Sequence, residues 1–227
     1  MSRDRPGFDR LARWYRALEF AAFGRDLERA RFAFLDRLAG RTSILLLGEG
    51  DGRCATRLLG IAPRARIVCV DSSRGMIERA SRRVRDAGGE GRVTFECADA
   101  RSFSPGAGQF DAVATLFFLD CFGADDVAAI VSRTDPGLRP GAIWLFADFA
   151  LPPRGIARAR ARVWLGLLYA FFRWETALSA PSLPPSERIL KAAGWDCTES
   201  ASLQRGLIRS GVFSRGPYAT AAVTEAR

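Results

Sequence analysis

The sequence contains no histidine and only one lysine, Lys191, among its 227 residues. Histidine is the commonest metal ligand and general base of proteins, so its absence argues against a metal site and against histidine-assisted catalysis. The chain has no run of about 18 apolar residues, and we therefore predict no membrane-spanning helix. The first ten residues, MSRDRPGFDR, are charged and lack the apolar segment of a secretion signal. These absences together predict a cytoplasmic protein.

Cysteine pairs and charge tracts are also missing. Of the five cysteines, four lie in or beside apolar runs and none belongs to a CxxC pair, which is typical of reduced, buried thiols. The formal net charge of +9 would favour an anionic partner such as nucleic acid. The arginines are spread over predicted helices and form no tract, however, so we predict that the chain does not bind nucleic acid.

A regular alternation of strand and helix patterns is what the sequence does contain. Continuous apolar runs predict five strands buried on both faces, with amphipathic helices between them. Two later stretches, WDCTESASL and LIRSGVFS, are joined by QRG and predict a closing hairpin. The fold class is therefore α/β: a Rossmann-like, doubly wound, seven-stranded sheet of five parallel strands and a C-terminal antiparallel hairpin. The five apolar strand patterns are TSILLLG, ARIVCVD, RVTFECAD, GQFDAVATLFFL and GAIWLFADFA.

No internal repeat or low-complexity linker interrupts this pattern, and we predict a single domain over residues 1–227. Helical segments are expected before the sheet, where Gly24 separates two of them, and in a lid after the fifth strand. The predicted parts are N-terminal helices at 8–40, a cofactor-binding core at 41–150, a lid and acceptor segment at 151–185, the last helix and hairpin at 186–214, and a tail at 215–227.

Polar or flexible residues end three consecutive predicted strands. Gly48, Gly50 and Gly52 follow the first strand, where glycine lets the backbone turn sharply and lets a ligand come close. Asp71 ends the second strand, and its carboxylate can accept hydrogen bonds from both hydroxyls of a ribose. Asp99 ends the third strand and can meet an adenine edge. Because ligands of open α/β sheets bind beyond the carboxyl ends of strands, these residues predict a nucleoside site.

The charge of the glycine loop selects among nucleoside ligands. Arg53 occupies the position of the third glycine in the dinucleotide-binding fingerprint. Two acids, Glu49 and Asp51, lie within the loop, and they disfavour a pyrophosphate while favouring a cationic ligand. S-adenosylmethionine meets this requirement because it carries a sulfonium and an ammonium group and no phosphate.

An ordered series of segments also resembles a known family. The chain is similar to the class I S-adenosylmethionine-dependent methyltransferases, in the group of the ubiquinone/menaquinone C-methyltransferases. The resemblance covers residues 8–214 and implies methyl transfer from S-adenosyl-L-methionine, with S-adenosyl-L-homocysteine as product. FDRLARWYRALEFAAFG resembles the entry helix that such enzymes fold over the cofactor. The five motif segments are LLLGEGDGR, VCVDSSRGMIERA, FECADA, FDAVATLFFLDCF and LRPGAIWLFADF.

The resemblance implies a set of cofactor contacts at matching positions. One position departs from the family, because Leu46 stands where an acid usually precedes the first loop glycine by two residues. Glu49 is expected to hold the cofactor's ammonium group instead. The other implied contacts are Gly48, Gly50 and Gly52 with the amino-acid portion, Asp71 with the ribose, Ser72 and Met76 beside the adenosine, Ala98, Asp99 and Ala100 around the adenine, a backbone carbonyl of Leu116 near the ammonium, and Tyr15 over the cofactor.

Several of these residues also fit purely structural roles. Asp71 can cap the helix that begins at Ser73, and Asp99 fits a turn. Phe117 and Phe118 follow the fourth strand and can either cradle a sulfonium by cation–π attraction or pack in the core.

No general base is evident from the sequence. The candidates are Asp120, Asp148, Tyr169 and Glu175, although Asp120 fits a solvated residue at a helix start better than it fits a catalyst.

The lid has an apolar, aromatic centre that is too short to span a bilayer and is flanked by arginines. Packed on the domain, it would enclose an acceptor pocket; resting on an anionic membrane, it would place the protein at the inner membrane face. Both interpretations predict a small lipophilic or aromatic acceptor, such as a quinone precursor or a lipid-like metabolite.

Other functions remain open at this point. An aminopropyltransferase has a similar glycine loop, but also an acid-rich loop after strand four and an N-terminal β-domain, whereas this chain has TLFFLDCF and a helical start. Arg53 and the loop acids disfavour a nicotinamide oxidoreductase. A non-catalytic S-adenosylmethionine-binding protein is suggested by Leu46 and by the absence of histidine. Both a monomer and a homodimer are compatible with the sequence.

Overall fold

The sheet contains seven strands in the order β3-β2-β1-β4-β5-β7-β6. The structure is a computed structural model that describes residues 25–152 and 183–216, together with positions 155 and 158. The first five strands run parallel, and β7 lies antiparallel between β5 and β6. The predicted fold class is confirmed. The strands are β1 Ser43–Leu47, β2 Arg66–Asp71, β3 Val93–Cys97, β4 Phe110–Leu116, β5 Leu138–Phe149, β6 Asp196–Leu203 and β7 Ile208–Ser214.

The helices between the strands lie where the amphipathic segments predicted them. The third helix begins at a serine cap, because Ser73 Oγ accepts a hydrogen bond from the backbone N–H of Met76 at 3.3 Å. The α-helices are α1 Asp26–Phe32, α2 Arg53–Ile61, α3 Arg74–Asp86, α4 Ala124–Thr134 and α5 Ser186–Ala192, and short 3-10 turns cover Leu35–Leu38, Leu119–Cys121, Asp135–Gly137 and Gln204–Gly206.

Apolar side chains cover both faces of the sheet. In β1, Leu46 packs in one buried cluster and Leu45 in the cluster on the opposite face. Trp144 of β5 and Trp195 meet edge to face at 5.6 Å, and Trp144 Nε1 donates a hydrogen bond to Thr115 Oγ1 at 2.9 Å. A strand with both faces covered must be apolar at successive positions, which is why the sequence of β1 shows no alternation.

Two features differ from the prediction, the start of β5 and the position of Arg215, while the QRG connection lies where it was predicted. β5 begins at Leu138 rather than at Gly141, because Leu138 pairs with Phe110 before a register shift. The QRG connection forms a tight turn in which Gln204 and Arg205 both have positive φ angles. Arg215, predicted to begin a loose tail, is anchored: it donates a 2.6 Å hydrogen bond to Asp135 Oδ2 and lies 4.8 Å over the ring of Trp195.

Other predictions fall outside the described residues. These are the first N-terminal helix before Gly24, the body of the lid, and the tail beyond residue 216.

The order of the strands determines where a ligand can bind. The chain runs from β1 outwards to β3 on one side, and from β4 outwards on the other. The connections that follow β1 and β4 therefore run to opposite sides of the sheet. A crevice opens between the carboxyl ends of these two strands as a result. The glycine loop begins at this crevice.

Gly52 joins the glycine loop to the packing of two helices. Its φ angle is +87°, and a Cβ atom at this position would lie 2.7 Å from the Cα of Ala80 on α3. Gly50 has a similar φ angle of +69°, but a Cβ there would meet no atom within 4 Å. The two glycines thus share a backbone conformation and differ in the space around them.

We expect Gly52→Ala to lower the free energy of unfolding by about 3–5 kcal/mol, since the left-handed backbone and the clash with α3 both oppose the new methyl group. Gly50→Ala should lower it by only about 1–2 kcal/mol, because the backbone term acts alone. Urea unfolding followed by circular dichroism measures both. Equal losses for the two variants would contradict the close packing of α2 on α3.

Candidate functional site

Asp71 ties the glycine loop to the start of α3. Its Oδ2 accepts a hydrogen bond from the backbone N–H of Gly50 at 3.1 Å, and its Oδ1 accepts one from Ser73 at 2.8 Å. Gly48 N–H donates to the carbonyl of Val70 at 2.8 Å, which holds the loop against β2. A carboxylate has about four lone-pair positions, so Asp71 can accept further hydrogen bonds while it keeps these two.

Glu49 has a structural role that the sequence did not suggest. Its Oε1 accepts hydrogen bonds from the backbone N–H groups of Cys54 and Ala55 at 2.9 and 3.0 Å, so the carboxylate caps the first turn of α2. Burial is the main influence on this group and raises the pKa of Glu49 to about 7, against the opposing effects of the cap and of the nearby Arg31 charge. Glu49 is therefore poised to change its charge near neutral pH.

A cavity lies between the carboxyl ends of β1 and β4, at the predicted crevice. Its volume is about 10 Å³, room for a single water molecule, and it is partly open to solvent. Its wall combines one cation and one acid with apolar side chains and the loop backbone, a composition that suits a zwitterionic amino-acid group. The lining residues are Arg31, Leu46, Leu47, Gly48, Glu49, Cys54, Ala114 and Leu116.

Arg31 is the residue of this cavity that sequence reasoning missed. It belongs to α1, and its Nε is buried without a hydrogen-bond partner among the described residues. Its guanidinium lies 5.4 Å from the centre of the Phe117 ring. In the sequence Arg31 is one of many arginines on a predicted helix, and only the packing of α1 over the sheet edge distinguishes it. An orphaned buried donor beside a cavity indicates a place for an anionic group.

The two phenylalanines after β4 have different environments. Phe118 packs against the glycine loop so closely that a Cβ on Gly48 would lie 1.9 Å from its ring, and it meets Phe122 edge to face at 5.0 Å. Phe117 has a φ angle of +57°, which is rare for a residue with a side chain. Its ring packs against Phe149 at 5.5 Å and against the guanidinium of Arg31. Phe118 thus packs in the core, while Phe117 lies at the rim of the cavity.

The expected adenosine side of the site lies beyond β2 and β3. Asp71 pairs with Cys97 in the sheet, so the ends of these two strands are adjacent. Asp99 binds Arg101, whose Nη2 donates to Asp99 Oδ2 at 2.6 Å and whose charge and hydrogen bonds lower the pKa of Asp99. Met76 is 36% exposed, which leaves its side chain accessible on the rim. Nearby, the backbone N–H of Ala98 donates to the carbonyl of Asp71, Ser72 adjoins α3, and Ala100 is buried.

Two of the four candidate bases are neighbours in the structure. Asp148 near the end of β5 is only 1% exposed, and its Oδ2 accepts a hydrogen bond from the backbone N–H of Asp120 at 3.1 Å. The two carboxyl groups influence one another, and burial raises the pKa of both. Asp120 is partly exposed, and its side chain lies beside Asp148 and Cys121 in the 3-10 turn Leu119–Cys121.

The remaining candidates, Tyr15, Tyr169 and Glu175, lie outside the described residues. In the part of the chain that the structure describes, no group of three or more histidine, cysteine or acidic side chains could hold a metal ion. Over the same residues, every helix is too short or too polar to cross a bilayer.

Comparisons with known sequences agree with this architecture. Residues 44–141, which run from β1 into β5, match the family described as "Methyltransferase domain". The ubiquinone/menaquinone biosynthesis C-methyltransferase UbiE of Syntrophotalea carbinolica is 33% identical over 151 residues, which is 65% of this chain and 62% of that protein. The chain thus aligns with less than two thirds of this relative's length.

Solved structures show the same fold at low sequence identity. An O-methyltransferase family 2 protein from Planctomyces limnophilus, solved with apigenin, has a TM-score of 0.67 at 15% identity, covering 89% of this chain and 61% of its own. The S-adenosylmethionine-dependent methyltransferase SibL, solved without ligand, has a TM-score of 0.66 at 21% identity, covering 94% of this chain and 60% of its own.

The match over the sheet core, the strand order and the relative at 33% identity all agree with the ordered motifs of the sequence. S-adenosylmethionine, the cofactor predicted from the glycine loop, is the cofactor of this family. Residues 44–141 of the chain thus match the methyltransferase domain family, and the chain is similar to S-adenosylmethionine-dependent methyltransferases in sequence and in fold.

Proposed function

We propose that this protein transfers a methyl group from S-adenosylmethionine to a small lipophilic or aromatic acceptor. The observation that carries the proposal is the cavity between β1 and β4, in which Arg31 and Glu49 place opposite charges beside the glycine loop. The amino-acid end of the cofactor carries a carboxylate and an ammonium group, and these two side chains complement both.

Described residues near the glycine loop complement the amino-acid end and the ribose of the cofactor. The orphaned Nε of Arg31 would bind the carboxylate, and Glu49 together with the backbone carbonyl of Leu116 would bind the ammonium group. The remaining lone pairs of Asp71 would accept hydrogen bonds from the ribose hydroxyls. Met76 has the exposure needed to pack against the adenosine.

Asp99 would have to rearrange to bind the adenine edge, because Arg101 already donates a 2.6 Å hydrogen bond to its carboxylate. That pairing is on the surface, where an ion pair contributes only about 0–1 kcal/mol and can rearrange. We keep Asp99 as a proposed adenine contact on this ground.

When bound, S-adenosylmethionine supplies an electrophilic methyl group on a sulfonium that leaves as a neutral thioether. The chain contributes orientation and the exclusion of water, which are the main protein contributions to a cofactor-driven transfer. Phe117 lies at the rim of the cavity with its ring already against Arg31, and it forms part of the wall between the cofactor and the acceptor.

An apolar cluster beyond the end of β5 supports a lipophilic acceptor. Leu27 and Phe149 are among its buried members, and Phe117 and Leu183 pack against it. Leu151, at the start of the predicted lid, is 37% exposed. Apolar side chains thus lie just before and just after the predicted lid, which supports an apolar acceptor pocket in this part of the protein.

The comparisons point the same way at a coarser level. The sequence relative is named for ubiquinone and menaquinone synthesis, and one structural neighbour was solved with apigenin. Both names concern aromatic or quinone compounds. The aminopropyltransferase, oxidoreductase and non-catalytic alternatives gain no support from these relatives. Contact of the lid with a membrane surface and the oligomeric state stay predictions.

The test of methyl transfer uses cofactor labelled in its methyl group and a lipophilic extract of the host. We expect label to move into the organic phase only with active protein, with S-adenosylhomocysteine formed in equal amount. Boiled protein is the control. Cofactor binding without any label transfer, over acceptors of every class, would favour the non-catalytic alternative.

The cofactor contacts can be separated with two ligands. 5′-Methylthioadenosine has the nucleoside of S-adenosylhomocysteine but lacks its amino-acid end. We expect Arg31→Met to weaken the binding of S-adenosylhomocysteine about tenfold or more, which is the usual effect of losing a charge-assisted hydrogen bond. The affinity for methylthioadenosine should not change. Asp71→Ala should weaken both ligands. Calorimetry gives the four affinities, and a loss of methylthioadenosine binding in Arg31→Met would contradict the assignment.

The raised pKa of Glu49 predicts proton release on binding. A cofactor ammonium group beside Glu49 stabilises the carboxylate, so its pKa falls from about 7 when the ligand binds. Affinity for S-adenosylhomocysteine should therefore rise about tenfold from pH 6 to pH 8, as the fraction of ionised Glu49 grows.

Calorimetry in buffers of different ionisation enthalpy measures the released proton directly. The matched variant Glu49→Gln keeps an oxygen acceptor for the N–H groups of Cys54 and Ala55 but cannot ionise. It should show a flat pH dependence between 6 and 8 and release no proton. The same slope in both proteins would exclude Glu49 as the group responsible.

A further inference from the structure

The paired carboxyl groups of Asp120 and Asp148 lie at the same edge of the sheet as the cavity. Leu116, which lines the cavity, pairs in register with Ala147, the residue before Asp148. From Leu116 the chain passes through Phe117 and Phe118 into the 3-10 turn that carries Asp120. The pair is thus separated from the cavity wall by a single short connection.

The hydrogen bonds of the pair require one shared proton. Asp148 Oδ2 accepts the backbone N–H of Asp120, which orients it at the start of the turn. Asp148 Oδ1 is buried and has no conventional donor among the described residues. The charge of Asp120 acts on Asp148 and raises its pKa, because two neighbouring ionised carboxylates repel one another in a buried site. A proton held by Asp148 and donated to Asp120 satisfies both side chains.

The surroundings keep Asp120 as the ionised member. The thiol of Cys121 lies 3.6 Å from Asp120 Oδ1 and donates to it, and the positive charge of Arg31 also acts on Asp120. Burial raises the pKa of Asp120, whereas these groups and Asp148 lower it. The other charge that reaches this region is that of Asp71, which acts on Cys121. Among the described residues, these groups set the basicity of Asp120.

The backbone before the turn is held in an unusual conformation. Phe117 has a positive φ angle, and its N–H donates to the carbonyl of Ala147 at 2.6 Å. A non-glycine residue in this region costs about 1–3 kcal/mol and is maintained where the geometry serves a site. Here it turns the chain so that Phe117 borders the cavity and Asp120 comes to lie beside Asp148.

We propose that Asp120 is the general base of the reaction, that Asp148 positions it, and that the acceptor carries the hydroxyl of a phenol or an enol. This inference rests on the proposed methyl transfer and names its substrate class. A carboxylate with a neutral, hydrogen-bonded partner suits the removal of a proton from such a hydroxyl, and the chain has no histidine to do so.

The step balances in atoms and charge. The O–H bond of the acceptor breaks and its proton passes to Asp120, while the oxygen gains the methyl group. Where the ring carbon next to the oxygen gains the methyl group instead, that carbon loses its own hydrogen as a proton and the oxygen takes up a proton, so one proton is released in either case. The S–CH₃ bond breaks, and its electron pair stays on sulfur. The acid pair then holds two protons and returns one to water when the product leaves.

The kinetic test uses simple phenols of graded acidity, from 4-methoxyphenol to 4-nitrophenol, with labelled S-adenosylmethionine. We expect Asp120→Asn to lower kcat for 4-methoxyphenol about 100-fold or more, the usual contribution of a general base. The loss should shrink for 4-nitrophenol, which is already ionised at pH 8, and binding of S-adenosylhomocysteine should not change. Asp125→Asn, at an exposed position on the first turn of α4, is the matched control and should keep full activity.

Asp148 is tested as a positioning residue. Asp148→Asn can still donate to Asp120 and accept the backbone N–H, so we expect it to keep most of the activity. Asp148→Leu should lose about tenfold or more in kcat and shift the acidic limb of the pH profile, because Asp120 loses its hydrogen-bonded partner. Equal activity of the two variants would overturn the role of Asp148.

A second readout needs no turnover. Infrared difference spectra of the protein with S-adenosylhomocysteine should show a protonated carboxylic acid at pH 7 that Asp148→Asn removes. Absence of that band would overturn the shared proton.

Wild-type protein that methylates amines or thiols but no phenol would overturn the inference and leave the proposed function standing. Failure to bind S-adenosylhomocysteine at all would instead refute the proposed function. An equal loss of kcat for every phenol in the Asp120→Asn variant would also count against Asp120 as a general base.

Discussion

Desolvation of a few ionisable groups is the constraint on which the functional edge of this protein depends. The sheet is apolar on both faces, yet its carboxyl edge carries Glu49, Asp120 and Asp148 near the guanidinium of Arg31. A buried charge is tolerated only when it is paired, hydrogen-bonded or neutralised by a proton. Glu49 is hydrogen-bonded to the start of α2, and Asp120 and Asp148 lie beside one another.

Glu49 shows how local structure and function can share one side chain. Its carboxylate caps α2, so the glycine loop and the helix start are held in one geometry even without ligand. Its pKa near 7 means that this cap is only partly ionised at neutral pH. The family's usual acid is replaced by Leu46, which is buried in the core at 2% exposure. Glu49 therefore supplies the only carboxylate among the residues that line the described cavity.

The sequence predicts the sheet well because its strands are buried on both faces. Such strands read as continuous apolar runs, and their ends are marked by glycine or aspartate, as at Gly48 and Asp71. The residues at strand ends could therefore be predicted as a group. The start of β5 could not be predicted, because Leu138 joins the sheet through its pairing with Phe110, ahead of a register shift that the sequence does not show.

Arg31 and the pairing of the two acids could not be predicted from the sequence either. Asp120 and Asp148 are 28 residues apart, and their meeting depends on the parallel register of β4 and β5 and on the turn at Phe117. Sequence reasoning listed both acids as separate candidates and had no signal for their shared proton. Arg31 has the composition of a solvated helix face, and only tertiary packing removes its Nε from water.

Arg31 also connects the two halves of the proposed site. Its charge acts on Glu49 in the cavity and on Asp120 beyond Phe117. A carboxylate bound to Arg31 would offset part of that charge, so Asp120 would lose some of the electrostatic stabilisation of its ionised form. Its pKa would then rise, and it would become a stronger base in the complex than in the free protein. In the proposed complex, Arg31 would thus both hold the amino-acid end of the cofactor and raise the basicity of Asp120, so proton removal from the acceptor would be most favourable with the cofactor in place.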